Sequence, residues 1–435
     1  MSRRPIIAAA VAGGLFAPLA VSYADAGAGH AGAAAPVLIG LIVLLLAAKL
    51  GGDLFERLGQ PAVLGELLFG VILGNLPLVG IVGLDHLKSD HALELLGELG
   101  VILLLFEVGL ESNVREMVGV GASALAVAVL GVVAPMLLGV GVSRWFHPAD
   151  SFHLHLFVGA TLCATSVGIT ARVLQDLGRS RGPEARIILG AAVIDDVLGL
   201  IILATVTGLI AADVGSGPGV SVGLIAGIVA KAFTFIAGSV TVGYYCSPPV
   251  LRLAARARVQ GMLLTTALLM CFAFAYAAQL VGLAPIVGAF AAGLIIEEDH
   301  LAGFRSATKL DDLLHPLVTF LVPVFFVRMG MLVELRQFGD LTVIGFAAVI
   351  TLAALIGKQV CALGVTQRGL NRIAVGFGMI PRGEVGLIFA NIGAEMTLGG
   401  RPVIGPEEFS ATVIMVMATT LVTPPLLRWS FTRRS

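Results

Sequence analysis

Residues 188–206 read ILGAAVIDDVLGLIILATV, an apolar run interrupted by two adjacent carboxylates, Asp195 and Asp196. With its flanks the run is long enough to cross a bilayer, for which about 20 apolar residues suffice. A carboxylate at the centre of a membrane helix costs about 2.5–3.5 kcal/mol on insertion scales, and two cost about twice that. Such groups face a water-filled cavity or a partner charge rather than lipid. The pair therefore predicts a cation and proton site inside an all-α polytopic membrane transporter. A purely structural role, in which both Asp cap or pair with helix backbone, is the alternative. Asp195 and Asp196 differ by about 100° around the helix, so one can meet a basic partner while the other faces a cavity.

Composition supports the membrane assignment. The chain is 57% hydrophobic and 13% charged, with mean hydropathy +0.99, whereas soluble domains carry about 25% charged residues. Its 55 glycines suit close helix packing and broken helices. The four cysteines lie in or beside apolar segments without metal-ligand spacing and read as small hydrophobes. A net charge of −1 carries no nucleic-acid signal, and neither an enzymatic activity nor a cofactor is expected. Residues 1–26 match a cleavable signal peptide, with a basic start, an apolar core and small-residue sites at Ala24 and Ala26. A retained extra helix is the alternative.

Apolar runs predict about thirteen further spans, near 36–52, 60–76, 92–110, 117–143, 152–173, 185–212, 219–246, 259–281, 283–297, 313–333, 341–364, 372–396 and 407–428. No strand ladder is expected, and no nucleotide-binding domain after the closing WSFTRRS. With the mature N-terminus outside, the inner ends and loops hold seventeen Lys and Arg against four outside, which favours a cytoplasmic C-terminus. Thirteen spans divide into six, a linker near 219–246 and six of opposite orientation, as inverted repeats require. The fifth span of each half is irregular: CATSVGITARV places Gly168 among Thr165, Ser166 and Thr170, and GFGMIPRGEVG places Pro381 and Gly383 after Gly376 and Gly378. Corresponding interrupted spans point to a transport site, because broken helices expose carbonyls and half-helix N-termini to ions.

Lys358, in LTVIGFAAVITLAALIGKQVCALGV (341–365), is the expected basic partner of the Asp pair. Arg382 and Glu384 either pair to hold the second broken helix or act on the ion. Arg328 is expected to snorkel to the outer interface. Lys231 falls mid-span without an evident role, and Glu66, Glu98 and Glu107 suit packing as well as chemistry.

Five ordered motifs carry a family resemblance: GQPAVLGELLFGVILGN (59–75), ELGVILLLFEVGLE (98–111), CATSVGITARVLQDLG (163–178), GAAVIDDVLGL (190–200) and GMIPRGEVGLIFA (378–390). In these the chain resembles the second family of monovalent cation:proton antiporters, above all the NapA-type bacterial Na+/H+ antiporters. The resemblance implies an NhaA/NapA-like fold of thirteen helices with two broken crossover helices. It implies a dimerisation domain (36–110 and 259–333) and a core transport domain (117–212 and 341–428) joined by a linker helix, moving as an elevator in a homodimer. By that resemblance Asp196 carries Na+, Asp195 pairs with Lys358, Arg382 and Glu384 form the charged pair of the second crossover, and Thr165–Thr170 the first. Thr165 and Ser166 complete the expected ion site, with Gly168, Thr170, Pro381 and Gly383 supplying crossover backbone.

The expected activity is electrogenic exchange of Na+ or Li+ for H+ across the inner (plasma) membrane, serving pH homeostasis. K+/H+ exchange or sodium-coupled symport of an organic anion are the alternatives within transport. A cation channel and a non-transporting membrane sensor are the rivals of another class; alanine at Asp196 separates them.

Overall fold

The computed structural model describes residues 34–80, 84–112, 114–213, 222–257, 259, 261–296, 309–333, 335, 341–398 and 401–432. The expected signal segment 1–26 lies outside these residues. Fifteen helices of seven residues or more dominate the described chain: α1 Ala34–Arg57, α2 Ala62–Gly74, α3 His91–Leu110, α4 Val114–Phe146, α5 Phe152–Cys163, α6 Val167–Asp176, α7 Pro183–Asp213, α8 Val222–Ala255, α9 Met262–Leu280, α10 Pro285–Leu294, α11 Leu310–Met331, α12 Leu341–Val360, α13 Arg372–Gly378, α14 Gly383–Glu395 and α15 Pro406–Thr432. Among the described residues nine helical stretches are long and apolar enough to cross a membrane, and α2, α10 and Val385–Ala394 are shorter apolar helices. The protein is thus an all-helical polytopic membrane protein.

One element was not expected. Thr397–Leu398 (β1) pairs antiparallel with Arg401–Pro402 (β2). The intervening Gly399-Gly400 is a hairpin signal in the sequence, but two residues on each side are too few to show strand alternation.

The chain divides into two compact units, Met1–Val101 with Val318–Arg336, and Ile102–Leu317 with Gln337–Ser435. In the first, Val43, Leu44 and Ala47 of α1 join Leu93, Val324 and Val327 in one apolar core. Glycines set the spacing there: a Cβ on Gly70 would run into the Val327 carbonyl oxygen, and one on Gly330 into that of Leu67. Close backbone contact of this kind replaces the hydrophobic drive that lipid removes. Arg328, expected to reach the outer interface, finds partners that sequence reading did not name. Its guanidinium donates to the Lys88 carbonyl oxygen at 3.0 Å and lies 3.3 Å from Glu94, partners far off in sequence.

In the second unit α5, α7, α12 and α15 share one apolar core, while α4, α7 and α13 share another with Cys361. α4 continues through Pro135 and α15 through Pro424 and Pro425, as membrane helices tolerate where neighbours satisfy the freed carbonyls. These helices bring both broken segments, the Asp pair and Lys358 together.

Candidate functional site in the second unit

The first broken segment is α5–α6, interrupted at Ala164–Ser166, where Ala164 (ψ 146°) and Ser166 (ψ 103°) are extended. Hydroxyl side chains that compete for backbone groups favour such a break. Gly168 and Thr170, expected in the crossover backbone, instead lie in α6 just beyond it. The break needs no positive φ, so glycine has no advantage there. The second segment is α13–α14, interrupted at Met379–Arg382. Pro381 lacks an N–H and disfavours helix at Ile380, and Gly383 takes a left-handed φ of 51°.

The two breaks bind each other's loose backbone groups. The Ser166 N–H donates to the Pro381 carbonyl oxygen at 2.7 Å. The Thr170 hydroxyl donates to Gly378 at 2.6 Å, and that of Thr165 to Met379 at 3.4 Å. Thr165, Ser166 and Thr170 are all buried, so these groups have no water to fall back on, and an orphaned one would cost about 1–3 kcal/mol. Gly383 makes the crossing possible, since a Cβ there would lie 2.6 Å from both Cβ and Oγ of Ser166. Gly383→Ala therefore meets a steric and a dihedral penalty together. It should lower thermal stability in detergent by at least the 1–3 kcal/mol typical of a strained backbone position, whereas Gly345→Ala, with nothing within 4 Å of its added Cβ, should not.

Arg382, fully buried, holds the second break. Its guanidinium donates to the carbonyl oxygens of Ile380 at 2.6 Å, Met379 at 3.4 Å and Ala354 on α12 at 3.3 Å. These bonds cap the open C-terminal end of α13, where unpaired carbonyls concentrate negative partial charge. The side chain of Glu384 lies outside the described residues; its backbone is in the first turn of α14.

Asp195 projects from the middle of α7, 3% exposed, and Lys358 from α12, 0% exposed. Lys358 Nζ lies 3.4 Å from both carboxylate oxygens of Asp195. The Thr165 side chain also stands against Asp195. Asp196, one residue on, is half-buried. Gly131 of α4 faces Lys358, where an added Cβ would make ordinary contact 3.6 Å from Nζ, while a Cβ on Gly357 would run into the backbone at Pro135. Sequence reading missed these packing positions, because a small residue in an apolar helix gives no sign of what it faces. Asp195 and Asp196 thus face Lys358 and Arg382 as two acids against two bases, so a cation that enters beside them competes with protons for the same carboxylates.

Outside this cluster, Glu107 is buried and accepts from Gln175 Nε2 at 2.6 Å, with His315 Nδ1 at 3.2 Å. Lys231 is exposed on α8, and Glu98 is exposed on α3.

Comparison with known proteins places this arrangement. Residues 40–432 match the family described as sodium/hydrogen exchanger, transmembrane. The high-affinity Na+/H+ antiporter NhaS3 of Synechocystis sp. is 37% identical over 91% of this chain and 90% of its own length. The Na+/H+-K+ antiporter GerN of Bacillus cereus is 35% identical over 90% of this chain and 95% of its own. Among solved structures, the sodium proton antiporter MjNhaP1 from Methanocaldococcus jannaschii shares the fold with a TM-score of 0.59 at 18% identity, covering 90% of this chain and 96% of its own.

Proposed function

The chain belongs to the sodium/hydrogen exchanger family, and on that premise we propose that it is an electrogenic Na+/H+ antiporter of the inner (plasma) membrane. The observation that carries this reading is the buried Asp195–Lys358 ion pair in the second unit, whose two broken helices bond to each other. Asp196 is the carrier. It binds Na+ with help from oxygens of the Thr165–Ser166 break, because hard cations prefer oxygen ligands. Na+ and H+ compete for the same carboxylates, so binding one releases the other. Asp195 holds Lys358, and the pair is remade as Asp196 loses its cation. If Lys358 also gives up a proton when Na+ binds, each cycle moves more protons than sodium ions.

The larger architecture follows the same reading: thirteen spans in two inverted repeats, mature N-terminus outside and C-terminus in the cytoplasm. Residues 117–212 and 341–428 move as an elevator against a dimerisation domain of 36–110 and 259–333. Two interrupted helices that bond to each other at their breaks support the repeats, and the Lys and Arg asymmetry supports the orientation. Li+ is expected to substitute for Na+.

One observation favours a second reading, exchange of K+ as well, since GerN is named for both cations. Proton flux in proteoliposomes, driven in turn by Na+, Li+ and K+ gradients, decides between them. Saturable flux with Na+ and Li+ alone is the expected result; flux with K+ of equal rate supports the second reading, and flux with none defeats both.

A further inference from the structure

At the C-terminal end of α4, away from the charge cluster, His147, Asp150 and Glu408 place one ligating atom each within 4.8 Å of one another. His147 Nδ1 lies 3.6 Å from Asp150 Oδ2 and 3.6 Å from Glu408 Oε1. With Zn–N and Zn–O bonds of about 2.0–2.2 Å, neighbouring ligands of a tetrahedral ion stand about 3.3–3.5 Å apart. Both separations from Nδ1 need only a few tenths of an ångström of contraction, and the two carboxylates lie within 4.8 Å of each other. We propose that His147, Asp150 and Glu408 form a site for a divalent transition-metal cation of the Zn2+ class, clamping the α4–α5 connection onto the start of α15.

The surroundings are built rather than incidental. Glu408 is 8% exposed, and a Cβ on Gly405 would lie 2.6 Å from Glu408 Oε2. Glycine at 405 thus leaves the space into which this carboxylate folds. The His147 ring meets Phe346 edge-on at 4.9 Å between centroids, and Phe346 is itself buried, which fixes the direction of Nδ1. Two ligands three residues apart on one connection and a third from another helix make a chelate open to a water in its fourth position. Two carboxylates with one neutral imidazole carry a net charge of −2, which a divalent cation cancels. The nitrogen-containing set favours Zn2+ over Mg2+ or Ca2+, which prefer oxygen alone. None of the three residues belongs to the exchange cluster, so the clamp is separable from transport chemistry.

The test uses the full chain without a histidine tag, purified in detergent and titrated with Zn2+ against a chromophoric chelator. One Zn2+ per chain is expected, with an absorption-edge spectrum showing a nitrogen and oxygen shell, and a rise in thermal stability that Mg2+ does not reproduce. His147→Gln and Asp150→Asn should each weaken this binding at least 100-fold; Asp150 is exposed, so its variant keeps the fold. Absence of stoichiometric Zn2+ binding overturns the proposal. So does wild-type affinity in both variants, or a sulfur-containing shell, since either places the ion elsewhere.

Discussion

Asp196→Asn is expected to reduce cation-driven proton movement to the level of protein-free vesicles while the purified protein unfolds no more easily than wild type. Asn keeps the shape and an oxygen ligand but has no ionisable carboxyl group with which to trade a proton for Na+. Neutralising a half-buried carboxylate also removes part of its desolvation cost, so stability should hold or rise. The two readouts, flux in proteoliposomes and thermal unfolding in detergent, separate loss of the carrier from loss of the fold. Retained Na+-driven flux in the mutant would remove Asp196 from that role. A cation channel or a non-transporting sensor would show no proton exchange in the wild type either.

Lys358→Gln carries the second large effect, and it falls first on stability. The ammonium group is wholly buried, 3.4 Å from a carboxylate that is itself 2% exposed at the side chain. Removing one partner of such a pair leaves an uncompensated buried charge and costs about 3–5 kcal/mol. A double-mutant cycle tests the coupling: Asp195→Asn with Lys358→Gln should recover much of the stability that either single change loses, because no charge is then stranded. Where Lys358→Gln protein still transports, voltage-sensitive measurements on proteoliposomes should show less charge moved per Na+ than in wild type. A mutant as stable as wild type, with full charge movement, would deny Lys358 any part in coupling.

Charge in apolar helices is what sequence reading handled well. Asp195, Asp196, Lys358 and Arg382 stand out because each is costly where it sits, and the structure gathers Asp195, Lys358 and Arg382 in one unit. Pro381 and Gly383 also announced the second interruption, since proline and a left-handed backbone act through local geometry alone. The first interruption was placed too late, at Gly168, because glycine is the usual punctuation mark. Here the helix is broken instead by Ala164–Ser166, whose N–H at Ser166 is taken up by Pro381 from a segment far along the chain. The partners of Arg328 were hidden for the same reason: Lys88 and Glu94 become its neighbours only once α11 is packed. Arg382 illustrates the limit from the other side. Its charge was legible, but its use, three hydrogen bonds to carbonyls of α12 and of its own break, depends on a crossing of helices that hydropathy does not describe.

The central claim is that Na+ and protons compete for the half-buried carboxylate of Asp196. It is tested most directly by titrating Na+ into the purified protein by calorimetry in two buffers of different protonation enthalpy, which counts protons released per Na+ bound. The account predicts more than one proton released per Na+ in wild type and no Na+ binding in Asp196→Asn. Na+ binding without proton release would contradict it.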